Sequence, residues 1–277
     1  MPNNDAQKRS RSYLLPYEDS EFILRDEMRD MRFALEYAKA ELLLRDWGVR
    51  STIVVFGSAR LPSPETAAAA AGAARSAAEV AEAARLQERA KIYQAARAFA
   101  AIASRQGGAI APHHRWRDNV IATGGGGGTM EAANRGAADV GAPSIGFNIS
   151  LPAEQEPNAY ITPELTFRFH YFAMRKMHMA MRANALVVFP GGFGTLDELF
   201  EILTLVQTKK APPAPIVLYD EAYWRRLINF DLLVAEDMLR PDELALLEFA
   251  DTPEAAWQLL LRRGLNAHSP HPSTGSG

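Results

Sequence analysis

The sequence predicts an α/β protein with a doubly wound parallel sheet and helices on both of its faces. Short unbroken apolar runs, such as Thr52–Phe56 and Ala185–Phe189, alternate with helical segments, and such runs are typical of strands buried on both faces. The apolar run 120–122 leads into a glycine turn at 124–128, and the run 185–189 leads into one at 191–194. A helical segment follows each turn. Strands that alternate with helices indicate a parallel, Rossmann-like sheet with right-handed crossovers.

The domain organisation follows from where these patterns begin and end. Residues 1–19 are polar and irregular, and we expect them to be disordered. Residues 20–48 form a helical N-terminal extension that Gly48 is placed to stop. A single α/β domain then spans 49–265, and the Pro-, Ser- and Gly-rich tail 266–277 is expected to be disordered.

The elements of the domain can be placed in order from the same patterns. The Ala-rich residues 65–104 predict one long helix or two consecutive helices, and a polar connection follows over 106–119. The predicted strands are 52–56, 120–122, 144–149, 165–169, 185–189, 215–219 and 248–250. Helices are predicted from the glycine turn at 124–128 to Gly141, over 170–184, from Thr195 onwards, over 221–239 and over 253–263.

Composition excludes several classes of protein. The 277 residues are 48% hydrophobic and 23% charged, which are average values for a globular chain. The formal net charge of -3 argues against a dedicated nucleic-acid-binding protein. The chain has no cysteine, which excludes disulfides and cysteine nucleophiles. No apolar stretch has the length of a membrane span or the form of an export signal, so we expect a cytoplasmic protein.

Two adjacent histidines, His113 and His114, lie in the polar connection. A metal site is one interpretation, but no carboxylate stands at ligand spacing beside them. A solvated loop is the favoured interpretation, and we predict neither a metal nor a cofactor.

The stretch 185–201 gives the main indication of a ligand site. An apolar strand ends at Pro190, and glycines follow that let the backbone turn sharply and approach a ligand. Thr195 is predicted to open the next helix. A strand, a glycine turn and a helix N-terminus together form an anion site, usually for phosphate, at the carboxyl end of a parallel sheet. The candidate ligand-binding residues here are Gly191, Gly192, Gly194 and Thr195.

A second interpretation of this stretch needs no ligand. Thr195 and Glu198 fit a capping box, with Thr at the N-cap and Glu at N3, and strand-to-helix turns commonly contain glycine. Spacing alone supports the two interpretations equally. The buried face of the helix is predicted to hold Leu196, Leu199, Phe200 and Leu203, which directs Asp197, Glu198 and Glu201 elsewhere.

A run of five glycines repeats the pattern in TGGGGGTMEAANRGA, which starts at Thr123. A flexible linker is a weak alternative, because the run lies between a buried strand and a helix. A further small-residue turn, Gly57-Ser58, follows the first strand. The candidate ligand-binding residues of these two turns are Gly57, Ser58, Gly125, Gly126, Gly128, Thr129 and Glu131.

The helix predicted over 170–184 presents three basic groups at positions i, i+3 and i+7, namely Arg175, His178 and Arg182. Methionines fill its other faces. A solvated basic face is the alternative to a functional one.

These motifs together resemble those of the LOG (Lonely Guy) family, long mislabelled as lysine decarboxylases. The resemblance rests on PGGFGTLDE at 190–198, on Arg175-Lys176 upstream, on FGSAR at 56–60 and on the five-glycine motif, and it covers residues 50–260. It implies a Rossmann-type homodimer, or a dimer of dimers, that hydrolyses the N-glycosidic bond of nucleoside 5′-monophosphates to a free base and ribose 5-phosphate. Cytokinin ribotides and AMP are the implied substrates. Arg175 and Glu198 fall on the positions implied in catalysis, and Lys176 joins the implied binding residues.

The chain also departs from the family pattern. Related sequences often have proline at the position of Gly127 and an aliphatic residue at that of Thr129. The region 67–119 contains Ala-rich helical and loop segments that are insertions relative to the family. The decarboxylase name finds no support, because no lysine lies in a recognisable Schiff-base setting.

The chemistry implied by the resemblance can be stated in terms of these residues. Cleavage of a ribosyl C–N bond builds positive charge on the sugar and negative charge on the base. Glu198 is suited to the sugar and Arg175 to the base, with the phosphate anchored on the turn before Thr195. The alternative is a non-catalytic nucleotide-binding or carrier protein of the same fold, as in carriers of molybdenum cofactor, because fold does not decide function.

Overall fold

The computed structural model describes residues 3–150 and 156–265, so the predicted disordered tail lies outside the described residues. The domain is built on one seven-stranded sheet whose neighbouring strands are all parallel. The strands are β1 (Thr52–Phe56), β2 (Val120–Thr123), β3 (Ser144–Ile149), β4 (Thr166–Phe169), β5 (Ala183–Val188), β6 (Ile216–Tyr219) and β7 (Leu247–Ala250).

The α-helices of the described ranges cover both faces and the N-terminal region. They are α1 (Asp5–Lys8), α2 (Ser20–Ile23), α3 (Arg29–Asp46), α4 (Pro64–Ala73), α5 (Ala77–Gln106), α6 (Thr129–Ala138), α7 (Phe172–Met181), α8 (Phe193–Gln207), α9 (Glu221–Leu227), α10 (Phe230–Ala235), α11 (Pro241–Leu244) and α12 (Pro253–Arg262). Short 3-10 turns lie at Arg11–Tyr13, Asp26–Met28 and Pro163–Leu165.

The strand order β4-β3-β2-β1-β5-β6-β7 confirms the predicted doubly wound sheet. The chain builds outwards from β1 in one direction and then returns to pair β5 with the other side of β1. Every residue of β1, β2 and β3 is buried, as continuous apolar strands predict. The order reverses between β1 and β5, and parallel sheets bind ligands outside the carboxyl ends of the strands at such a point.

The N-terminal extension differs from the prediction in two respects. Residues 20–47 form α2, a 3-10 turn and α3 rather than one helix. The segment predicted to be disordered contains the exposed helix α1 and a 3-10 turn. Gly48 does end α3, with a φ of 84°: the Val49 amide bonds the Leu44 carbonyl at 2.9 Å, as in a Schellman motif.

The Ala-rich region forms two consecutive helices, which is one of the two predicted arrangements, and a capping box of Ser76 and Glu79 starts α5 after α4 has ended. Two other helices are shorter or divided relative to the prediction. The helix predicted over 221–239 is divided, and Asn229 caps its second part, α10. The helix predicted over 170–184 ends at Met181, so Ala183 and Asn184 belong to β5.

The loop before β2 binds back to the body of the domain. Arg117 pairs with Val49 in an isolated bridge, and the rings of His113 and His114 pack against each other with centroids 4.4 Å apart. Across residues 3–150 and 156–265, no group of three or more His, Asp or Glu side chains has an arrangement that could hold a metal ion. None of the helices in those ranges has the length and apolar character required to cross a membrane.

Candidate active site

A cavity of about 750 Å³ opens at the carboxyl ends of β1 and β5, where the strand order reverses. Three segments that the sequence singled out meet there: the turn after β1, helix α7 and the turn that enters α8. Its lining residues are Phe56, Gly57, Ser58, Ala59, Arg60, Met130, Phe172, Arg175, Gly191, Gly192, Phe193, Gly194, Thr195, Leu196, Asp197, Glu198, Tyr223 and Leu227.

The N-terminus of α8 faces this cavity without a side-chain cap. The helix begins at Phe193, two residues earlier than predicted, and its N-cap is Gly192. A Cβ at Gly192 or Gly194 would meet no atom within 4 Å, so both glycines border open space. An uncapped helix N-terminus with free space beside it is suited to an anion.

The capping-box interpretation of this turn is wrong. Thr195 lies at the third helical position rather than at the N-cap, and its side chain is buried against Gly191, where a Cβ would overlap the Thr195 hydroxyl. Glu198 is therefore one turn inside the helix and does not reach back to an N-cap amide.

Glu198 lies on the buried face of α8, with only 6% of its surface exposed. The predicted buried face is correct for Leu199 but wrong for Phe200, which is 41% exposed. The buried positions are Thr195, Glu198, Leu199, Ile202 and Val206. Burial raises the pKa of the Glu198 carboxyl, and the nearby charges of Arg175 and Lys176 oppose this rise.

Arg175 is the partner of Glu198. Its Nη1 atom lies 3.2 Å from Glu198 Oε1, and its Nε donates to the Phe147 carbonyl at 2.7 Å. Burial lowers the pKa of Arg175, and the Glu198 charge opposes this change. Gly124 packs so closely on the guanidinium that a Cβ there would overlap Arg175 Nη2. The guanidinium is thus held between β3, the five-glycine run and α8.

Lys176 lies away from the cavity, although it neighbours Arg175 in sequence. Its ammonium binds Asp197 at 2.6 Å and Glu201 at 2.9 Å. It borders a separate shallow groove along α8. The structure therefore places Lys176 as a link between α7 and α8 rather than beside the space open to a ligand.

The five-glycine run lies mostly behind the cavity wall. Gly125 has a φ of 76° and Gly128 a φ of 63°, and a Cβ at either would overlap Asn148 or the Ser58 carbonyl. Gly126 is buried, and its carbonyl accepts a hydrogen bond from Asn158 at 3.0 Å. Close packing within the protein accounts for glycine at positions 125 and 128. From this motif only Met130 lines the cavity.

Two further predicted residues of this motif bind other side chains or backbone. Glu131 accepts a hydrogen bond from the buried Tyr93 hydroxyl at 2.7 Å. The amide of Thr129 donates to the Ser58 carbonyl at 3.0 Å, and its hydroxyl approaches the same oxygen at 3.2 Å. The first amide of α6 is thus occupied by protein.

The turn after β1 joins the two glycine turns. Ser58 donates its amide to the Pro190 carbonyl at 3.0 Å and accepts from Thr129 on its other side. Gly57 has no room for a side chain, since a Cβ there would overlap the Thr129 hydroxyl. Gly57 and Ser58 both line the cavity, as predicted, and Arg60 follows them with an exposed side chain.

Sequence reasoning did not select Arg60 or the aromatic lining residues as candidates. Phe193 is 93% exposed and Phe172 is 52% exposed. Phe193 stands inside the glycine motif, and an aromatic residue in such a turn is a signal that could have marked it. Tyr223 follows β6, outside any motif, and its hydroxyl donates to the Gly191 carbonyl at 2.6 Å. Nothing in the sequence indicated that contact.

The predicted basic face of α7 turns inwards rather than to solvent. His178 is 1% exposed and packs near the rings of Tyr37 and Phe169. Arg182 is buried too and binds Glu41 of α3 at 2.7 Å. Of the three groups, Arg175 alone lines the cavity. The solvated-face interpretation is therefore wrong, and two of the three groups bind or pack against α3.

Comparison with known proteins agrees with the resemblance seen in the motifs. Residues 130–260 match the family model described as "Possible lysine decarboxylase". The chain is 32% identical over 97 residues to a probable cytokinin riboside 5′-monophosphate phosphoribohydrolase (LOGL6) of Oryza sativa subsp. japonica, a match that covers 35% of this chain and 37% of that protein. It is 37% identical over 68 residues to the cytokinin riboside 5′-monophosphate phosphoribohydrolase LOG1 of Arabidopsis thaliana, covering 24% and 32% of the two chains.

These matches confirm the resemblance to the LOG family, and the family-model match includes α7 and α8. The chain spans about a third of the length of the curated relatives it matches. Among solved structures, the molybdenum cofactor binding protein of Rippkaea orientalis is 18% identical, with a TM-score of 0.47, and the match covers 77% of this chain and 96% of that one.

Proposed function

We propose that this protein hydrolyses the N-glycosidic bond of nucleoside 5′-monophosphates, releasing a free base and ribose 5-phosphate. One observation carries the proposal: the largely buried pair Arg175–Glu198 faces the same cavity as the uncapped N-terminus of α8. The relatives named as cytokinin riboside 5′-monophosphate phosphoribohydrolases support it. Cytokinin ribotides and AMP are the substrates we propose.

The cavity has separate features for the charged and uncharged parts of such a substrate. A 5′-phosphate fits the first turn of α8, where the amides near Gly194 point along the helix axis towards open space. Arg60 adds a positive side chain to the same cavity. Exposed rings of Phe172 and Phe193 at the cavity offer apolar surface for a base.

A phosphate at α8 places the ribose over the first turns of that helix, near Glu198. In the proposed step, water adds to C1′ while the C1′–N bond breaks and its electron pair leaves with the base. The Glu198 carboxylate stabilises the positive charge on the sugar and accepts the proton of the water. The base takes up a proton from solvent after it leaves, and Glu198 returns its proton to solvent, so the products are the neutral base and ribose 5-phosphate. Arg175 donates a hydrogen bond to the departing base, which carries the negative charge. Binding energy from the phosphate fixes this geometry.

An assay for released base tests the proposal. Purified protein is incubated with AMP and with a cytokinin ribotide, and free base is quantified by chromatography, with adenosine as the substrate that lacks the phosphate. We expect base from the monophosphates and far less from adenosine. Tight binding of AMP without release of adenine would contradict hydrolysis and favour the carrier alternative.

We also propose that the protein forms a homodimer. Helix α7 gives no support for a dimer, because α3 of the same chain packs on it through Phe33 and Tyr171. Support comes instead from the family resemblance and from exposed apolar side chains on α3, among them Met31 at 50% and Leu35 at 53%. Light scattering over micromolar concentrations tests this, and a monomer throughout would contradict it.

A further inference from the structure

The N-terminal helix α3 meets the start of α7 through one carboxylate. Glu36 accepts hydrogen bonds from two successive backbone amides, that of His170 at 2.8 Å and that of Tyr171 at 3.3 Å. Both amides lie in the turn between β4 and α7, and Tyr171 is the N-cap residue of α7. The side chain of Tyr171 does not cap its own helix, so the carboxylate that binds this turn comes from another element.

A backbone hydrogen bond joins this turn directly to Arg175. The Tyr171 carbonyl accepts the amide of Arg175 at 3.2 Å, which is the first bond of the helix. Phe172, the next residue along the chain, lines the cavity. The position of the 170–171 backbone therefore sets where both Phe172 and Arg175 enter the cavity.

Other residues of α3 contact the side chain of Tyr171. The ring of Phe33 stacks on Tyr171 with centroids 4.0 Å apart, and Arg32 Nε donates to the Tyr171 hydroxyl at 3.1 Å. At the far end of α7, Glu41 binds Arg182. Helix α3 thus contacts both ends of the helix that presents Arg175.

We propose that Glu36 is a positioning residue for Arg175. Through Glu36, the N-terminal extension contributes to the geometry of the active site. The inference rests on the proposed function. Arg175 must lie within hydrogen-bond reach of the departing base, and small displacements of such a group reduce turnover strongly. Glu36 does not line the cavity and would act only through the backbone of Tyr171.

The test compares Glu36→Ala and Glu36→Gln with Leu44→Ala. Leu44 is fully buried near the other end of α3, so its truncation lowers stability without touching the 170–171 turn. For Glu36→Ala we expect kcat for AMP hydrolysis to fall about tenfold, with inhibition by ribose 5-phosphate unchanged. Glu36→Gln keeps an acceptor oxygen and should recover most of the activity, and it serves as the test variant if Glu36→Ala does not fold. Leu44→Ala should keep the parent kcat at a temperature well below its Tm.

A second measurement does not depend on turnover. Hydrogen–deuterium exchange of a peptide spanning 170–176 should become faster in Glu36→Ala and remain at the parent rate in Leu44→Ala. Equal exchange in the parent and Glu36→Ala would overturn the inference, as would a loss of kcat in Leu44→Ala equal to that in Glu36→Ala. A parent enzyme that releases no base from any nucleoside monophosphate refutes the proposed function, and the exchange measurement still decides whether Glu36 orders the start of α7.

Discussion

The guanidinium of Arg175 lies 3.2 Å from the carboxylate of Glu198, and both groups are largely withdrawn from water. Burial penalises the charged form of each residue, and the charge of the other offsets part of that penalty. A buried pair of this kind is a costly way to join two helices, because well-packed apolar residues usually serve as well. Its position at the edge of a cavity is the reason to expect a chemical role.

Replacing Glu198 with Gln tests this role most directly. Gln has nearly the same shape and can still accept a hydrogen bond from Arg175, so the fold should be retained. We expect kcat for AMP hydrolysis to fall about 10²- to 10³-fold, the usual cost of removing a group that stabilises charge in the transition state. Thermal unfolding should show a Tm close to that of the parent.

Glu201 offers a matched control for this substitution. It lies one turn further along α8 and binds Lys176 outside the cavity. Glu201→Gln should therefore keep nearly normal turnover. Equal activities of Glu198→Gln and the parent would refute the catalytic role.

The pH dependence of hydrolysis should reflect the environment of Glu198. Burial raises the pKa of this carboxyl above its ordinary value of 4.5. Because the ionised form is the one proposed to act, activity should be lost as the pH falls through the raised pKa. We expect the acid limb of the kcat profile to have its midpoint above 4.5, and the residual activity of Glu198→Gln to lack that limb. A midpoint at or below 4.5 would contradict the assignment.

Glycine substitutions should separate ligand binding from folding. A methyl group on Gly194 meets no protein atom but projects where the phosphate is proposed to bind. Gly194→Ala should keep or slightly increase stability, since Ala favours the helix by about 1 kcal/mol, while AMP affinity drops. Isothermal calorimetry and thermal unfolding measure the two effects.

Gly191→Ala provides the opposite case in the same turn. Its added methyl would overlap the Thr195 hydroxyl, so this variant should lose stability. If Gly194→Ala bound AMP as tightly as the parent, the first turn of α8 would not be the phosphate site.

Arg60 should contribute to phosphate affinity rather than to chemistry. It lines the cavity with an exposed side chain, in the turn held by Ser58. A charge-assisted hydrogen bond to an anion contributes about 1.5–3 kcal/mol, so Arg60→Ala should raise KM for AMP about tenfold or more and leave kcat nearly unchanged. The nearby Arg89→Ala, which removes a positive charge bound to the Arg60 carbonyl, is the control. A loss of kcat without a change in KM would contradict this role.

His178 should make the protein sensitive to mild acid. Burial lowers the pKa of His178 below its ordinary value of 6.5, the charge of Arg182 lowers it further, and Glu41 opposes both. The unfolded chain then binds a proton that the folded chain does not, so stability is full above pH 6.5 and is lost as the pH falls towards the lowered pKa. The slope is at most about 1.4 kcal/mol per pH unit.

Phenylalanine at position 178 removes that titration and keeps a ring between Tyr37 and Phe169. Urea unfolding of His178→Phe at several pH values below 6.5 should show a smaller loss of stability than the parent shows. Parallel curves for the two proteins would rule out His178 as the group responsible.

The sheet could be predicted because most of its strands contain an apolar run bounded by glycine, proline or polar residues. The start of α8 could not, since Gly192 gives no capping signal and Thr195 gives a misleading one. Thr195 has the side chain of an N-cap residue, but it lies inside the helix, and its hydroxyl packs on Gly191, which precedes the helix. Local sequence contains no information on which of these contacts forms.

The residues of the candidate site could be predicted where they belong to a recognisable motif. They could not be predicted where only the fold brings them to the cavity. Arg175, Glu198 and the glycines after Pro190 all border the cavity, as expected. Lys176 does not, because consecutive residues on a helix lie about 100° apart around its axis. Tyr223 enters from the far side of β6, and only the packing of the sheet brings it to Gly191.

The strand order also determines which contacts of the site are local in sequence and which are not. Helix α7, strand β5 and helix α8 are consecutive, so Arg175 and Glu198 meet within one short stretch of chain. Ser58 depends on partners that reach it only after β1 has paired with β2 and β5, which are distant in sequence. Closing such long loops is entropically costly and slow. The reactive pair is therefore local in the chain, whereas the wall that completes the cavity around it depends on contacts between distant segments, whose closure costs more entropy.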